Sequence, residues 1–413
     1  MAGIYLHIPF CKQACHYCNF HFSTSLNRKN DFVTALLKEM ELQRHYIGPE
    51  AVETVYFGGG TPSLLTEEEL GLILTRLRDL FTLEPGVEIT LEANPDDITV
   101  AGKLAAWKKA GINRLSIGVQ SFFEEDLQWM NRAHGAAQAS NSIRMAQEEG
   151  FRNISVDLIY GGPTLPDGHW EKNVAQAVAS GIPHLSCYAL TVEPRTALDK
   201  MIHQKKKEAV SPDDQARQFV LLMDWLTIAG YEHYEISNFA LPGHRSRHNS
   251  SYWQGKPYLG LGPSAHSYNG SSRQWNVANN AQYTDALLSG KVLFEQELLT
   301  PVQQLNEYIM ISLRTMEGCD LKLVADRFGP EEAQILQKQA ARYIREGMIR
   351  VTEEMTAGRG KEVPSTNETV LTGNNRLILT REGKLLADGI SAELFFDAAK
   401  DETKDETKDM AKD

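Results

Sequence analysis

One pattern recurs six times before residue 240: a short β-branched apolar run, a loop marked by Gly or Pro, then an amphipathic stretch of helical length. The runs Gly3–Ile8, Glu53–Phe57, Val87–Glu92, Arg114–Val119, Asn153–Ile159 and His184–Leu190 read as strands. Helix signals lie between them. Thr66 followed by Glu69 makes a capping box, and Gly111, Gly150 and Gly181 stand where helices should stop. Strands and helices alternating every thirty residues or so imply βαβ units with right-handed crossovers and a parallel sheet. Six units are too few to close an eight-stranded barrel, so the expected fold is α/β, a partial and open (β/α)6 TIM-like barrel. The pattern alone leaves a doubly wound flat sheet as the alternative.

The character changes near residue 240. Residues 241–280 are rich in Gly, Ser, Asn, His and aromatics and lack the period of a long helix. From Pro301 to Ile349 the apolar spacing predicts two helices, with Leu305, Tyr308, Ile309, Leu313, Ile335, Leu336, Tyr343 and Ile344 on buried faces. A strand at Arg376–Thr380 and a last helix through Phe396 complete a small α+β module of winged-helix appearance. Residues 353–373 read as an exposed loop, and the tandem DETKDETKD within 400–413 as a solvated tail. The expected divisions are 1–240 for the barrel, 241–300 for a linking segment, 301–399 for the C-terminal module and 400–413 for the tail.

Composition narrows the partners. The 413 residues carry 54 acidic and 42 basic side chains, a formal charge of −12, which disfavours nucleic acid because phosphate binding needs clustered Lys and Arg. The longest basic run, Lys205-Lys206-Lys207, reads as a surface loop. Nowhere do 18 apolar residues run together, so no integral membrane segment is expected. The opening MAGIYLHIPF has no basic-then-apolar leader, and a cytoplasmic location is the expectation.

Of five cysteines, Cys11, Cys15 and Cys18 form C-x3-C-x2-C in the loop after the first strand. In a reducing compartment such a cluster indicates metal ligation. Three thiolates so spaced can hold three corners of an iron–sulfur cube and leave one iron open. A zinc site completed by His7, His16 or His21 and three packed thiols are the other readings. Cys187, inside an apolar strand, and Cys319, beside Gly318, are read as packing residues.

Polar residues gather where parallel strands end, at the face where barrel enzymes carry their sites. Phe57-Gly58-Gly59-Gly60-Thr61-Pro62 follows the second strand, Glu92 ends the third, Gln120 ends the fourth and Asp157 lies in the fifth. Glycines there let a ligand approach the backbone. A tight turn and hydrogen-bonded strand ends are the structural alternatives.

Taken together, these motifs resemble the radical S-adenosylmethionine (SAM) superfamily. That resemblance implies a 4Fe-4S cluster on Cys11, Cys15 and Cys18 whose open iron chelates SAM. Tyr5-Leu6-His7-Ile8-Pro9-Phe10-Cys11, the GGGTP turn, Gln120 and Asp157-Leu-Ile-Tyr-Gly are similar to oxygen-independent coproporphyrinogen III dehydrogenase and its relatives, over about residues 3–350. Tyr5, Gly59 and Glu92 would then contact the cluster-bound SAM. Tyr17, Gly60, Thr61, Gln120, Arg132 and Asp157 would line a second SAM or substrate pocket. Two departures separate the chain from the dehydrogenase: Phe20 stands where that enzyme's motif continues with a fourth cysteine, and the first strand follows the N-terminus directly.

The segment Tyr234-Glu235-Ile236-Ser237-Asn238-Phe239-Ala240, followed by His248-Asn249-Ser250-Ser251-Tyr252-Trp253, resembles the radical-SAM-type heme chaperones of the same group. A His beside aromatics in a loop is ordinarily structural. The resemblance instead implies heme with His248 as axial ligand, Tyr252 or Trp253 packed on the macrocycle, and delivery to apo-hemoproteins such as those of the respiratory chain. It also allows a homodimer. The competing expectation is the dehydrogenase itself, acting on porphyrinogen propionates, and a zinc-stabilised binding protein is the third.

Overall fold

The computed structural model describes residues 1–353 and 375–397. The expected tail, and the expected loop beyond its first residue, lie outside them. The strands are β1 (Ala2–Ile8), β2 (Val52–Gly59), β3 (Leu83–Ala93), β4 (Arg114–Gln120), β5 (Asn153–Tyr160), β6 (His184–Ala189), β7 (Glu232–Glu235), β8 (Asn238–Ala240), β9 (Tyr258–Leu261), β10 (His266–Tyr268), β11 (Ser272–Asn276), β12 (Phe294–Leu298), β13 (Cys319–Asp320), β14 (Ile349–Glu353) and β15 (Asn375–Leu379). Contacts divide the chain into two units. The first comprises Met1–His233, Ser237–Ser251 and Lys256–Glu297; the second comprises Tyr234–Ile236, Tyr252–Gly255 and the described residues from Leu298 onward.

The larger sheet has twelve strands in the order β12-β11-β10-β9-β1-β2-β3-β4-β5-β6-β8-β7. β1 to β6 pair in parallel and in sequence order, each joined to the next through a helical crossover. A doubly wound sheet reverses strand order at a switch point; this run of six never does, and the expected partial, open (β/α)6 barrel is what forms. β9 adds a parallel strand beside β1, with Leu259 opposite Ile4. Local signals operate as the sequence implies. Thr66 Oγ1 accepts from Glu69 N at 3.2 Å while Glu69 Oε2 accepts from Thr66 N at 2.8 Å, and Gly111, Gly150 and Gly181 end helices at φ +107, +94 and +68.

Alternation along the strands sorts the two faces. Ile4, Leu6, Val55, Phe57, Leu91, Leu115, Ile117, Val156 and Leu158 are fully buried on one face. The alternate positions Tyr5, Thr54, Tyr56, Glu92, Arg114, Ser116, Ser155, Asp157, His184 and Ser186 converge inside the barrel, where many bond to one another. A barrel interior this polar is built for a ligand rather than for packing alone.

In the second unit, helices Pro301–Leu313, Leu321–Arg327 and Pro330–Arg345 pack with a small antiparallel sheet, order β13-β15-β14. Leu305, Ile309, Leu313, Leu336, Leu377 and Leu379 form its core, with Tyr308 and Ile344 packed against it, whereas Ile335, expected on a buried face, is 43% exposed. Three helices replace the expected two, because Asp320 caps a separate short helix by accepting from Lys322 N and Leu323 N, and Gly329-Pro330 breaks it from the next. The last helix is also shorter than expected. Ala387–Glu393 ends before Phe396, whose backbone is held by the Asn306 side chain at 2.8 and 2.9 Å. Among the described residues no helix is long and apolar enough to cross a membrane.

Candidate functional site

The cysteines lie in an irregular loop that other segments pin in place. Cys11 N donates to Ser23 O at 3.0 Å and His16 N to Met130 O at 3.1 Å. Gln13 Nε2 donates to Asn131 O at 3.0 Å, and Asn131 Nδ2 returns a bond to Ala14 O at 2.8 Å. The three histidines named as zinc ligands are bonded away from the thiols: His7 Nε2 to His21 O, His16 Nδ1 to Trp129 O, and His21 Nε2 to Asn280 Oδ1. Among the described residues no three His, Cys, Asp or Glu side chains converge on a single ion site. The basic run nearby is only partly solvated, since Lys207 bonds Trp129 O and sits 4.1 Å above the Trp129 ring.

Cys11, Cys15 and Cys18 border a cavity of about 400 Å³ at the C-terminal ends of the strands. Gly59, Gly60 and Thr61 supply one wall from the turn after β2, Glu92 and Asn94 the next, then Ser116, Gly118 and Gln120 from β4, Asp157 and Ile159 from β5, and Tyr188 from β6. Tyr17 and Arg132 complete the lining. Eleven of the side chains or glycines singled out by motif thus meet in one place.

Arg132 organises the centre. Its Nη1 lies 3.3 Å from Cys15 Sγ and 3.4 Å from the Tyr17 hydroxyl, and Nη2 donates to Asn94 Oδ1 at 2.7 Å and Gly118 O at 2.9 Å. Its Nε is buried without a partner, leaving one donor of the fork for a ligand. Thr61 Oγ1 approaches Cys11 Sγ at 3.5 Å. Burial raises the Cys11 thiol and pushes Cys18 up to about 11. Cys11 and Cys18 thiols kept protonated by burial, with a fixed guanidinium beside Cys15, suit a metal cluster, which would draw off those protons on binding. The donor set therefore fits a three-thiolate cluster.

Two carboxylates face the same space. Burial, then the nearby Asp157, push Glu92 up to about 8, although the Tyr56 hydroxyl donates to Glu92 Oε1 at 2.8 Å. Burial raises Asp157 to about 6 against a bond from Ser116 Oγ at 3.2 Å. Gln120 holds a left-handed backbone at φ +67, strain of the kind that surrounding structure maintains at ligand sites. A cation or amine entering here would find acceptors below it and the guanidinium beside it, a fit for the amino and carboxylate ends of SAM.

Four expected residues are elsewhere. Tyr5 is off the cavity wall, its ring beside Tyr56 at 6.1 Å and its hydroxyl 3.3 Å from His7 Nδ1. His248 is 2% exposed beneath the barrel strands, with Nδ1 and Thr54 Oγ1 2.8 Å apart. An axial ligand needs a ring face and nitrogen that a porphyrin can reach, so the geometry argues against that role for His248. Tyr252 and Trp253 belong to the other unit, where Arg314 lies 5.3 Å over the Trp253 ring. Sequence reading passed over Asn94, Ser116 and Tyr188. Asn94 was visible as the first residue beyond β3 and Ser116 and Tyr188 as inward positions on β4 and β6, but nothing in their type announced a role.

Residues 5–177 match the radical SAM superfamily and 299–355 the HemN C-terminal domain. The solved structure of coproporphyrinogen III oxidase (HemN) from Escherichia coli superposes with a TM-score of 0.77, 21% identity, covering 95% of this chain and 90% of that one. That likeness is one of fold. The Bacillus subtilis protein named heme chaperone HemW is 34% identical over 80% of this chain and 87% of its own length. The Mycobacterium tuberculosis (strain H37Rv) protein of the same name is 35% identical over 94% of this chain and 93% of its own. Identity of that order sustained along both chains, on this fold and around these cysteines, places the chain in the HemW family of the radical SAM superfamily.

Proposed function

We propose that this protein is a heme chaperone that carries a 4Fe-4S cluster on Cys11, Cys15 and Cys18, binds SAM beside it, and delivers heme to apo-hemoproteins such as those of the respiratory chain, in the cytoplasm. The observation that carries the reading is the family likeness along 94% of the chain to a protein named heme chaperone. The cluster, when bound, supplies an electron to SAM. Arg132 orients Cys15 and offers its free Nε to a carboxylate, Glu92 takes an amine, and Gly59 and Gly60 keep the wall open to the ligand backbone. Gln120 and Asp157 also line the cavity, where a second SAM or the substrate of a related enzyme would sit. Heme is held without His248 as axial ligand, since that ring is enclosed.

The dehydrogenase reading is the weaker one. Phe20, 67% exposed on the cavity rim, takes the place of the fourth cysteine and can neither ligate a metal nor transfer a proton. The test is anaerobic reconstitution followed by absorbance and electron paramagnetic resonance, then hemin titration and transfer to an apo-hemoprotein. An iron–sulfur signal with heme transfer supports the proposal. One zinc per chain and no iron would overturn the cluster, and a cluster-loaded protein that binds no heme would overturn the chaperone.

A further inference from the structure

The His248 motif has no role in the cavity just described, yet its histidine is among the most tightly held side chains of the barrel. The helix Arg247–Trp253 enters beneath the strands, and Glu88 receives it: Glu88 Oε2 accepts from Arg247 N at 3.3 Å and Oε1 from His248 N at 3.1 Å. Thr54 holds Nδ1. Gly3 lines this pocket closely, since a Cβ there would lie 3.0 Å from Thr54 Oγ1 and 3.4 Å from His248 Cε1 and Nδ1. The ring then forms a stack, lying 4.9 Å from Tyr56 at 22° and 6.5 Å from Tyr5 at 25°. A second glycine keeps the top of this stack open. A Cβ on Gly58 would meet Tyr5 Cε2 at 2.9 Å, Tyr56 Cε1 at 3.0 Å and Glu92 Oε1 at 3.1 Å. The Tyr56 hydroxyl ends the chain of contacts on the Glu92 carboxylate, which faces the cavity.

We infer that His248 is a positioning residue for Glu92: its flat face holds the Tyr56 ring, Tyr56 fixes the Glu92 carboxylate, and the cavity's affinity for the amino group of SAM depends on that arrangement. The inference rests on the reading of the cavity as a SAM site. Stacked rings restrict tilt, and a hydrogen bond to a carboxylate is strongly angle-dependent, so a loosened Tyr56 leaves Glu92 with its bond to the Gly59 backbone but without a fixed phenol donor. The histidine thus reaches the ligand through two intervening side chains without touching it.

Phe and Leu at position 248 separate this role from mere filling of space. Both occupy the volume and both lose the Thr54 bond, but only Phe offers a planar face. The experiment is calorimetric titration of SAM into the anaerobically reconstituted full chain, with iron and sulfide content and thermal melting measured on each variant. His248→Leu is expected to weaken SAM binding about tenfold, and Tyr56→Phe by a similar factor, the scale of one charge-assisted hydrogen bond. His248→Phe is expected to stay within about threefold of wild type, on the same scale. Because His248 acts through Tyr56, the double variant Tyr56→Phe/His248→Leu is expected to bind as Tyr56→Phe alone, with cluster content equal in all. Wild-type affinity in His248→Leu, equal losses in the Phe and Leu variants, or a double variant weaker than Tyr56→Phe by the full Leu factor would each overturn the inference while leaving the SAM site standing. A wild-type protein with an intact cluster and no SAM binding would remove the site and the inference together.

Discussion

Arg132 lies 3.3 Å from the Cys15 sulfur while its other terminal nitrogen is held by Asn94 and Gly118. A guanidinium fixed against one thiolate of a cluster stabilises the reduced, more negative state over the oxidised one. Arg132→Gln is therefore expected to lower the cluster's midpoint potential by on the order of 50 mV, close to the tenfold equivalent of a one-electron couple. A redox titration followed by electron paramagnetic resonance measures it. An unchanged potential would show that Arg132 serves SAM alone.

Gly60 is a place where one methyl group should disable the cavity. An added Cβ would sit 2.7 Å from Phe10 O and 2.8 Å from Ile8 O, both backbone atoms immediately before Cys11. Backbone cannot yield as a flexible side chain can, and overpacking of this kind costs about 1–3 kcal/mol. Gly60→Ala is expected to melt earlier and to retain less iron per chain after reconstitution. Normal iron content would mean that the cysteine loop adjusts independently of the GGGTP turn.

Glu39 predicts a pH dependence of opposite sense to the usual carboxylate. It is fully buried, accepting from Gly262 N at 2.8 Å, Asn276 Nδ2 at 2.6 Å and Tyr283 Oη at 2.5 Å, and burial outweighs these donors to raise it to about 7. Between the ordinary value near 4.5 and about 7 the folded chain keeps a proton that the unfolded chain has lost. Stability from this group is thus full below pH 4.5 and falls as pH rises toward 7, by about 3 kcal/mol, then stays level. Urea melts at pH 5 and pH 8 on wild type and Glu39→Gln check it: the variant should lose that part of the slope. The same slope in both would assign the dependence to other groups.

Much of the barrel was legible because parallel strands must be joined by helices and because buried strands are apolar on the face beneath those helices. The six strand positions follow from Ile4-to-Ile8-type runs, and the helix stops from Gly111, Gly150 and Gly181. The site was legible where chemistry demands a rare residue type: three cysteines at fixed spacing, a glycine turn, carboxylates at strand ends. The buried stack around His248 was not legible, for a physical reason. A histidine beside tyrosine and tryptophan has the composition of a porphyrin site and of a buried stack alike, and a contact such as the one to Thr54, 194 residues away, is what distinguishes them. Long-range pairings of that kind leave no local pattern. The short helix capped by Asp320 was missed for the opposite reason, since seven residues carry too little periodicity to be seen.

Enclosure of His248 makes a prediction for heme. Hemin titrated into His248→Phe is expected to give the wild-type Soret position and the same stoichiometry, because the ring being replaced does not meet the porphyrin. Optical spectra and pyridine hemochromogen quantitation measure it. A shifted or absent Soret band would place His248 on the iron, and would require the helix Arg247–Trp253 to leave the position it occupies under the strands.

With Phe20 at the cavity rim, the proposed activity is heme carriage and not the conversion of porphyrinogens. The most direct measurement is a paired assay on one preparation of reconstituted full-length protein with SAM and a reductant: heme transfer to an apo-hemoprotein, followed by its absorbance, and coproporphyrinogen III conversion, followed by carbon dioxide release. Transfer with no conversion above the cluster-free control is expected. Sustained carbon dioxide release with no heme transfer would contradict it.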